Sequence, residues 1–466
     1  MHRFKENFPT VVESSSATGW LTSILQLGGI VGSLTAGVFG EVFSRKYTIP
    51  LYNAELSSPE LRGLLVSFYQ FATILGIMLS FWCGYGSNNI GGTGDTQSDL
   101  AWRIPSIIQG IPAAILALGI WWLPFSPRWL IKHGREEAAI KTLAYLRKLP
   151  INHELIQIEA KEIKAEYLFE QRVFAKKFPM LGAGEKTSVW MRELVQYWNI
   201  FRTWDNFKRV AIAWFVMFFQ QWSGIDSIIY YASNVFVSLG LTGGTQSLLA
   251  TGVTGVVFFV CTIPAMAIID RVGRKPMLLF GSIVMWVCMV LTSIIVAKFQ
   301  HDWQHHANAG WTAVAFIWIY VGAFGATWGP VSWTLVSEIF PVSIRAKGAS
   351  IGASSNWVNN FAVAFFVPPM FAAWEWGTYL FFAVFLTGGI VWVWFYLPET
   401  KGTTLEEMDR IFESHSGEAD ARMLADARKD VGLDQDMVDR AVSAAATAVK
   451  RKPEAKHYLK PLRLFE

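Results

Sequence analysis

Gln220-Gln221-Trp222-Ser223-Gly224-Ile225-Asp226-Ser227-Ile228-Ile229-Tyr230-Tyr231 lies inside an otherwise apolar run over residues 210–239. Amide, hydroxyl and carboxyl groups are costly in hydrocarbon unless something satisfies them, so a polar block within a membrane-length segment implies a protein-lined, wet cavity. Gln220 and Gln221 are adjacent on one expected helix, with Ser223 and Asp226 close behind, and are read as cavity-lining residues. The rest of the chain supplies the wall.

Composition supports a membrane protein: 52% of the 466 residues are hydrophobic and 16% charged, against roughly 25% charged in soluble domains. Apolar runs at 19–43, 64–85 (following Leu61-Arg62-Gly63) and 104–123 precede the quoted stretch, and runs at 248–269, 276–296, 311–336, 349–372 and 379–397 follow it. Each is close to or above the roughly 20 residues of a spanning helix. The expectation is an all-α membrane protein with about nine transmembrane helices, three and then six.

Between them, residues 125–207 are charged and helically periodic, and residues 403–466 form a charged, partly Ala-rich tail. The expected organisation is therefore an incomplete N-terminal bundle over 1–124, a cytoplasmic loop with short helices over 125–207, a six-helix bundle over 208–402 and a cytoplasmic tail. Orientation comes from basic residues. Arg45, Lys46, Arg62, the central loop, Arg271, Arg274, Lys275, Arg345, Lys347 and Lys401 all fall on one side, with Lys298 the main exception on the other. By the positive-inside rule the basic side is cytoplasmic. A formal net charge of +4 distributed this way reports topology, not a nucleic-acid partner.

The chain repeats itself. Glu41-Val42-Phe43-Ser44-Arg45-Lys46 recurs as Asp270-Arg271-Val272-Gly273-Arg274-Lys275; Glu55 with Arg62 recurs as Glu338 with Arg345; Pro124-Phe125-Ser126-Pro127-Arg128 is echoed by Pro398-Glu399-Thr400-Lys401. Three landmarks in one order indicate the duplicated construction of secondary transporters. The copies are unequal. Lys275 and Glu338 lie 63 positions apart, Lys46 and Glu55 only nine, a shortfall large enough for about two spans. A further span is short at the start, which would put Met1 outside, with Arg3 and Lys5 opposing that placement.

At these residues the chain resembles the sugar porter family of the major facilitator superfamily, in particular its fungal hexose and pentose carriers. The resemblance covers most of 1–410 and is carried in order by Gln220-Gln221-x-Ser223-Gly224-Ile225, Tyr230-Tyr231, Asp270-Arg271-x-Gly273-Arg274-Lys275, Gly329-Pro330-x-x-Trp333, Glu338-x-x-Pro341-x-x-x-Arg345, Ser355-Asn356-Trp357-x-x-Asn360 and Pro398-Glu399-Thr400-Lys401-Gly402. It implies alternating access with a midplane sugar site. Gln70, Gln220, Gln221, Asn356 and Asn360 would bind hydroxyls and Trp333 would lie against the ring, as suits an uncharged polyol. Gly329-Pro330 would let its helix bend. Glu41, Arg45, Glu55, Arg62, Arg128, Asp270, Arg274, Glu338, Arg345 and Glu399 would form a charge network that locks the outward-facing state.

The chain departs from that pattern at Asp226, where asparagine is usual, at Phe258, where another binding asparagine is common, and at Phe125, where the family has an acid. The span missing at the start normally carries the acid tied to proton coupling, so coupling is left open. Asp226 has two readings, a neutral hydrogen-bonding group or a substitute proton carrier. Gln70 alone could equally be a packing hydrogen bond, Trp333 an interfacial or packing tryptophan, and the basic landmarks simple membrane anchors.

The expected function is transport of a monosaccharide or related polyol, with a proton as possible co-substrate, across the plasma membrane. Competing readings are a membrane sugar sensor and a transport-inactive product of skipped exons or a wrong gene model. No cofactor is implied. No nucleophile, metal cluster or phosphate loop suggests an enzyme, and Cys83, Cys261 and Cys288 read as core thiols.

Overall fold

The computed structural model describes residues 2–12, 14–42, 44, 46, 52, 59–92, 94–177, 189–241, 244–341, 343–401, 408, 411–412 and 416–433. Among these the regular structure is helical. The first long helices are α1 (Ser15–Val42), α2 (Pro59–Ser87) and α3 (Leu100–Gly119). Four helices of the intervening loop follow: α4 (Pro127–Lys132), α5 (Glu136–Arg147), α6 (Glu154–Lys177) and α7 (Val189–Arg202). The later part comprises α8 (Trp204–Trp222), α9 (Ile225–Ser238), α10 (Gly244–Val272), α11 (Arg274–Phe299), α12 (Ala307–Ala326), α13 (Trp328–Glu338), α14 (Arg345–Trp374) and α15 (Trp376–Tyr396), and α16 (Ser416–Asp430) lies in the tail. With α8/α9 and α12/α13 each counted as one interrupted span, the described residues give the nine spans that hydropathy predicts. The chain is a multi-pass membrane protein.

Five of the nine are long and apolar enough to span without regard to their neighbours: α3, the body of α10, α11, α12 with α13, and α15. The others carry polar groups that protein must shelter, as α14 shows with buried Ser354, Ser355, Asn356, Asn359 and Asn360. Helix α3 is the opposite case. Only Ala101 is buried along it, and its outward Ile107, Ile108, Ile111 and Ile115 suit contact with lipid.

The run over 210–239 is interrupted. Helix α8 ends at Trp222, Gly224 adopts φ +95°, and α9 starts at Ile225. Only glycine fits there, because the backbone is left-handed and an added Cβ would lie 2.6 Å from the Phe382 ring. The second break falls at Thr327 (φ −132°, ψ −82°), two residues before the Pro330-containing bend expected from sequence. Pro330 thus occupies the first turn of α13, where a missing N–H costs nothing. Trp328, 1% exposed, anchors that turn by donating from Nε1 to Ser282 Oγ of α11 at 2.9 Å.

The early helices are held by the later ones. Helix α1 packs along α14, where Ser350 Oγ donates to the Ser33 carbonyl at 2.7 Å and Ser33 and Ser354 hydroxyls lie 3.1 Å apart. Helix α2 packs along α10 in the same manner. At the end of the molecule opposite Lys46 and Arg274, the first residues lie on the 94–99 turn. Arg3 donates from N and Nε to Gln97, Asn7 donates to Asp99, and Phe4, Phe8 and Trp102 cluster. Arg3 also pairs with Glu6.

At the basic end α4, α5 and α6 share a small apolar core around Trp129, Leu143 and Ile156. Tail helix α16 docks on α6 through Ala165, Phe169, Val173 and Ala427, flanked by the Arg428–Glu162 and Arg172–Asp430 pairs.

Candidate functional site

Both helix breaks open onto one polar constellation. The last turn of α8 presents Gln220 and Gln221, 3% and 5% exposed; the first turn of α9 presents Asp226; and α14 presents Asn356 and Asn360, one turn apart on one face. Gln220 sits at the junction. Its Nε2 donates to the Trp328 carbonyl at 2.9 Å, at the head of α13, and its Oε1 accepts from Asn356 Nδ2 at 2.7 Å.

One turn along, Asn360 Nδ2 donates to Asp226 Oδ2 at 2.7 Å, and Tyr230 Oη donates to Asn360 Oδ1 at 3.1 Å. The amide of Gln26, on α1, lies 3.1 Å from the same tyrosine hydroxyl. The chain therefore runs from Asp226 to the first long helix. Gln221 Oε1 is buried and has no hydrogen-bond partner among the described residues, which leaves an acceptor for an incoming hydroxyl.

Of the residues read from sequence, Gln220 with Asn356 and Asp226 with Asn360 are directly paired. Gln70 approaches from α2, its Nε2 3.7 Å from where a Cβ on Gly329 would stand. Trp333 is half-buried one turn further along α13, packed on the apolar core. Phe258 stacks edge-on to Phe324 with centroids 6.0 Å apart, so it joins α10 to α12 as an apolar contact.

Sequence reading missed Gln26 and Asn359. Gln26 is 1% exposed and is an isolated amide in a glycine-rich run, the same signal that singled out Gln70. Asn359 accepts from Trp222 Nε1 at 2.9 Å and returns its own amide to Ser355, so it fixes α8 against α14.

At the basic end Arg274 meets Glu338 with two bonds, Nη2 to Oε1 at 2.7 Å and Nε to Oε2 at 3.2 Å. Thr400 Oγ1 donates to Glu338 at 2.7 Å. Glu399 caps α11, accepting the backbone N–H of Arg274 at 2.9 Å and of Lys275 at 3.0 Å, where the helix dipole favours an anion. Arg128 is paired with Glu166 of α6, and Arg345 Nε donates to the Phe340 carbonyl at 3.3 Å. Arg45 and Glu55 lie outside the described residues, as do the side chains of Glu41, Arg62 and Asp270.

Comparison with known proteins follows the same outline. Residues 46–412 match the family model described as "Sugar (and other) transporter". A probable quinate permease of Aspergillus niger is 35% identical over 418 residues, covering 87% of this chain and 72% of that protein. The quinate permease of Neurospora terricola is 33% identical over 392 residues, covering 82% and 69%. Among solved structures, the inward open xylose transporter XylE from E. coli superposes with a TM-score of 0.64 at 25% identity, covering 86% of this chain and 90% of that one. Its partially occluded form gives 0.66 at 23% identity, covering 84% and 91%.

Proposed function

Since the chain belongs to the sugar transporter family of the major facilitator superfamily, we propose that it binds an uncharged polyol, a monosaccharide or close analogue, between α8/α9, α13 and α14 and carries it by alternating access. The observation that carries this reading is the amide constellation at two broken helices. Discontinuous helices expose backbone and side-chain polar groups at membrane depth, which is where transporters of this construction hold substrate. Neutral amides bind hydroxyls without the desolvation cost of a charge, so the ligand can leave.

The named relatives raise a second substrate, quinate, a cyclic polyol bearing a carboxylate. Among the described residues the groups joined in the constellation include one carboxyl, Asp226, and no cation, which favours the neutral polyol. In this reading the basic end faces the cytoplasm of a plasma-membrane protein, the Arg274–Glu338 pair and the Glu399 cap close the inner gate, and Asp226 acts as a neutral hydrogen-bonding group.

The separation of nine positions from Lys46 to Glu55, against 63 in the second repeat, favours a competing reading in which the chain binds polyol but does not carry it. One experiment addresses both. Purified chain in vesicles is assayed for counterflow of glucose, xylose and quinate, and for binding by tryptophan fluorescence. Counterflow of a neutral sugar that Gln220→Ala abolishes is the expected result. Binding without counterflow supports the inactive or sensor reading, and absence of binding overturns the site.

A further inference from the structure

Four side chains from three helices share one run of polar contacts: Asp226 and Tyr230 of α9, Asn360 of α14 and Gln26 of α1. The direction of the run is set at its Gln26 end. One end of that amide lies 2.8 Å from the backbone carbonyls of both Thr22 and Ser23, and the other lies 3.1 Å from Tyr230 Oη and 3.1 Å from Asn360 Oδ1. An oxygen placed 2.8 Å from two carbonyl oxygens would be repelled by both, so Nε2 faces the backbone of α1 and Oε1 faces the other helices. Gln26 is 1% exposed, and this acceptor has to be met from within the protein.

The run is then short of one proton. With Asn360 donating to Asp226, its Oδ1 and the Gln26 oxygen are both acceptors, and Tyr230 has a single hydrogen for the two. The neighbouring tyrosines do not make up the deficit. Tyr231 donates to the Ala364 carbonyl at 2.6 Å, and Tyr320, on α12, donates to the Ser223 carbonyl at 2.9 Å. Among the described residues no Lys, Arg or His acts on Asp226.

Turning the Asn360 amide over removes the deficit on one condition. Its nitrogen then donates to the Gln26 oxygen and to Tyr230 Oη, the Tyr230 hydrogen goes to the Gln26 oxygen, and the Asn360 oxygen meets Asp226 at 2.7 Å. Two oxygens at that distance need a hydrogen between them, which a protonated carboxyl supplies.

We propose that Gln26 is a positioning residue for Asp226: by offering an oxygen to Asn360 and Tyr230, it favours the amide orientation in which Asp226 carries a proton taken up from solvent. The seating of α1 and the protonation of Asp226 thereby become one equilibrium. The role assigned to Gln26 rests on the reading of Asp226 as a neutral group of the polyol site and deepens it. The first turn of α9 opposes that role, because a helix N-terminus favours a carboxylate. Loss of the Gln26 oxygen frees Asn360 to donate to that carboxylate.

The test is infrared spectroscopy of the full chain in lipid nanodiscs, without substrate, in buffers from mildly acidic to mildly alkaline. The carbonyl stretch of protonated Asp226 is identified by its loss in Asp226→Asn. In the unaltered chain the band should persist into mildly alkaline buffer. In Gln26→Met, which keeps the length and apolar bulk of the side chain, it should disappear there and remain in acid. Tyr230→Phe removes a hydroxyl but leaves the Gln26 oxygen dependent on Asn360, so its band should persist as in the unaltered chain. Simple loosening of α1 would affect both variants alike.

A band that survives in Gln26→Met, a band lost in Tyr230→Phe, or no Asp226 band in the unaltered chain would overturn this role for Gln26. No sugar enters the measurement, so its failure leaves the counterflow result standing, and failure of counterflow leaves the infrared result standing.

Discussion

Gln220 of α8 and Asn356 of α14 are bonded at 2.7 Å, and the same glutamine reaches the Trp328 carbonyl at 2.9 Å, so one amide joins three helices at the point where two spans are broken. Removing it leaves a buried Asn356 donor and a buried carbonyl each short of one partner, at about 1–3 kcal/mol per group. Gln220→Ala is therefore expected to weaken polyol binding tenfold or more, whereas Gln220→Glu, which keeps the acceptor, should lose less. Fluorescence titration with a neutral sugar measures both. Equal affinities for all three proteins would remove Gln220 from the site.

Asp226 distinguishes two mechanisms through a single isosteric change. Its Oδ2 accepts from Asn360 at 2.7 Å, a bond that an asparagine carbonyl can also accept. If the carboxyl only bonds, Asp226→Asn retains counterflow within a few-fold, and uptake by the unaltered chain is flat from mildly acidic to neutral pH. That is the expected result. Loss of uphill accumulation with counterflow intact would identify Asp226 as the proton carrier instead.

The spans were legible because each is a predominantly apolar run of the right length, and repeat landmarks such as Asp270-Arg271-x-Gly273-Arg274-Lys275 marked where they close. The breaks were less so. The polar block at Gln220-Gln221 signals a cavity, not a break in the helix, and the left-handed Gly224 lies against the Phe382 ring, a contact that no local pattern reveals. Gly329-Pro330 announced a bend, but the chain turns at Thr327 because proline fits the first turn of a new helix better than the middle of an old one. Gln26 was passed over because its partner, Tyr230, lies more than 200 residues away in sequence.

The Arg274–Glu338 pair should be asymmetric under mutation. Arg274 is 7% exposed at its side chain and Glu338 29%. Glu338→Gln removes the negative charge facing the buried guanidinium and is expected to cost about 2–3 kcal/mol, below the 3–5 of a fully buried pair because water reaches the glutamate. Arg274→Lys keeps the charge but loses the two-pronged geometry and should fall between the unaltered chain and Glu338→Gln. Thermal unfolding in detergent gives the order. A Glu338→Gln chain as stable as the unaltered one would mean that the pair is dispensable in this conformation.

Two adjacent glycines on α1 make opposite predictions and thereby test whether α1 is seated on α14. A Cβ on Gly29 would lie 2.5 Å from Cδ2 of Trp357, whereas a Cβ on Gly28 meets nothing within 4 Å. Gly28→Ala should therefore raise stability by about 0.5–1 kcal/mol through helix propensity alone. Gly29→Ala gains the same propensity but must displace an indole packed between two helices, and overpacking of that kind costs about 1–3 kcal/mol. The expected result is a higher melting temperature for the first and a lower one for the second, in the same detergent. Two increases of equal size would place the Gly29 face away from Trp357 and would separate α1 from the helix that carries Asn356 and Asn360.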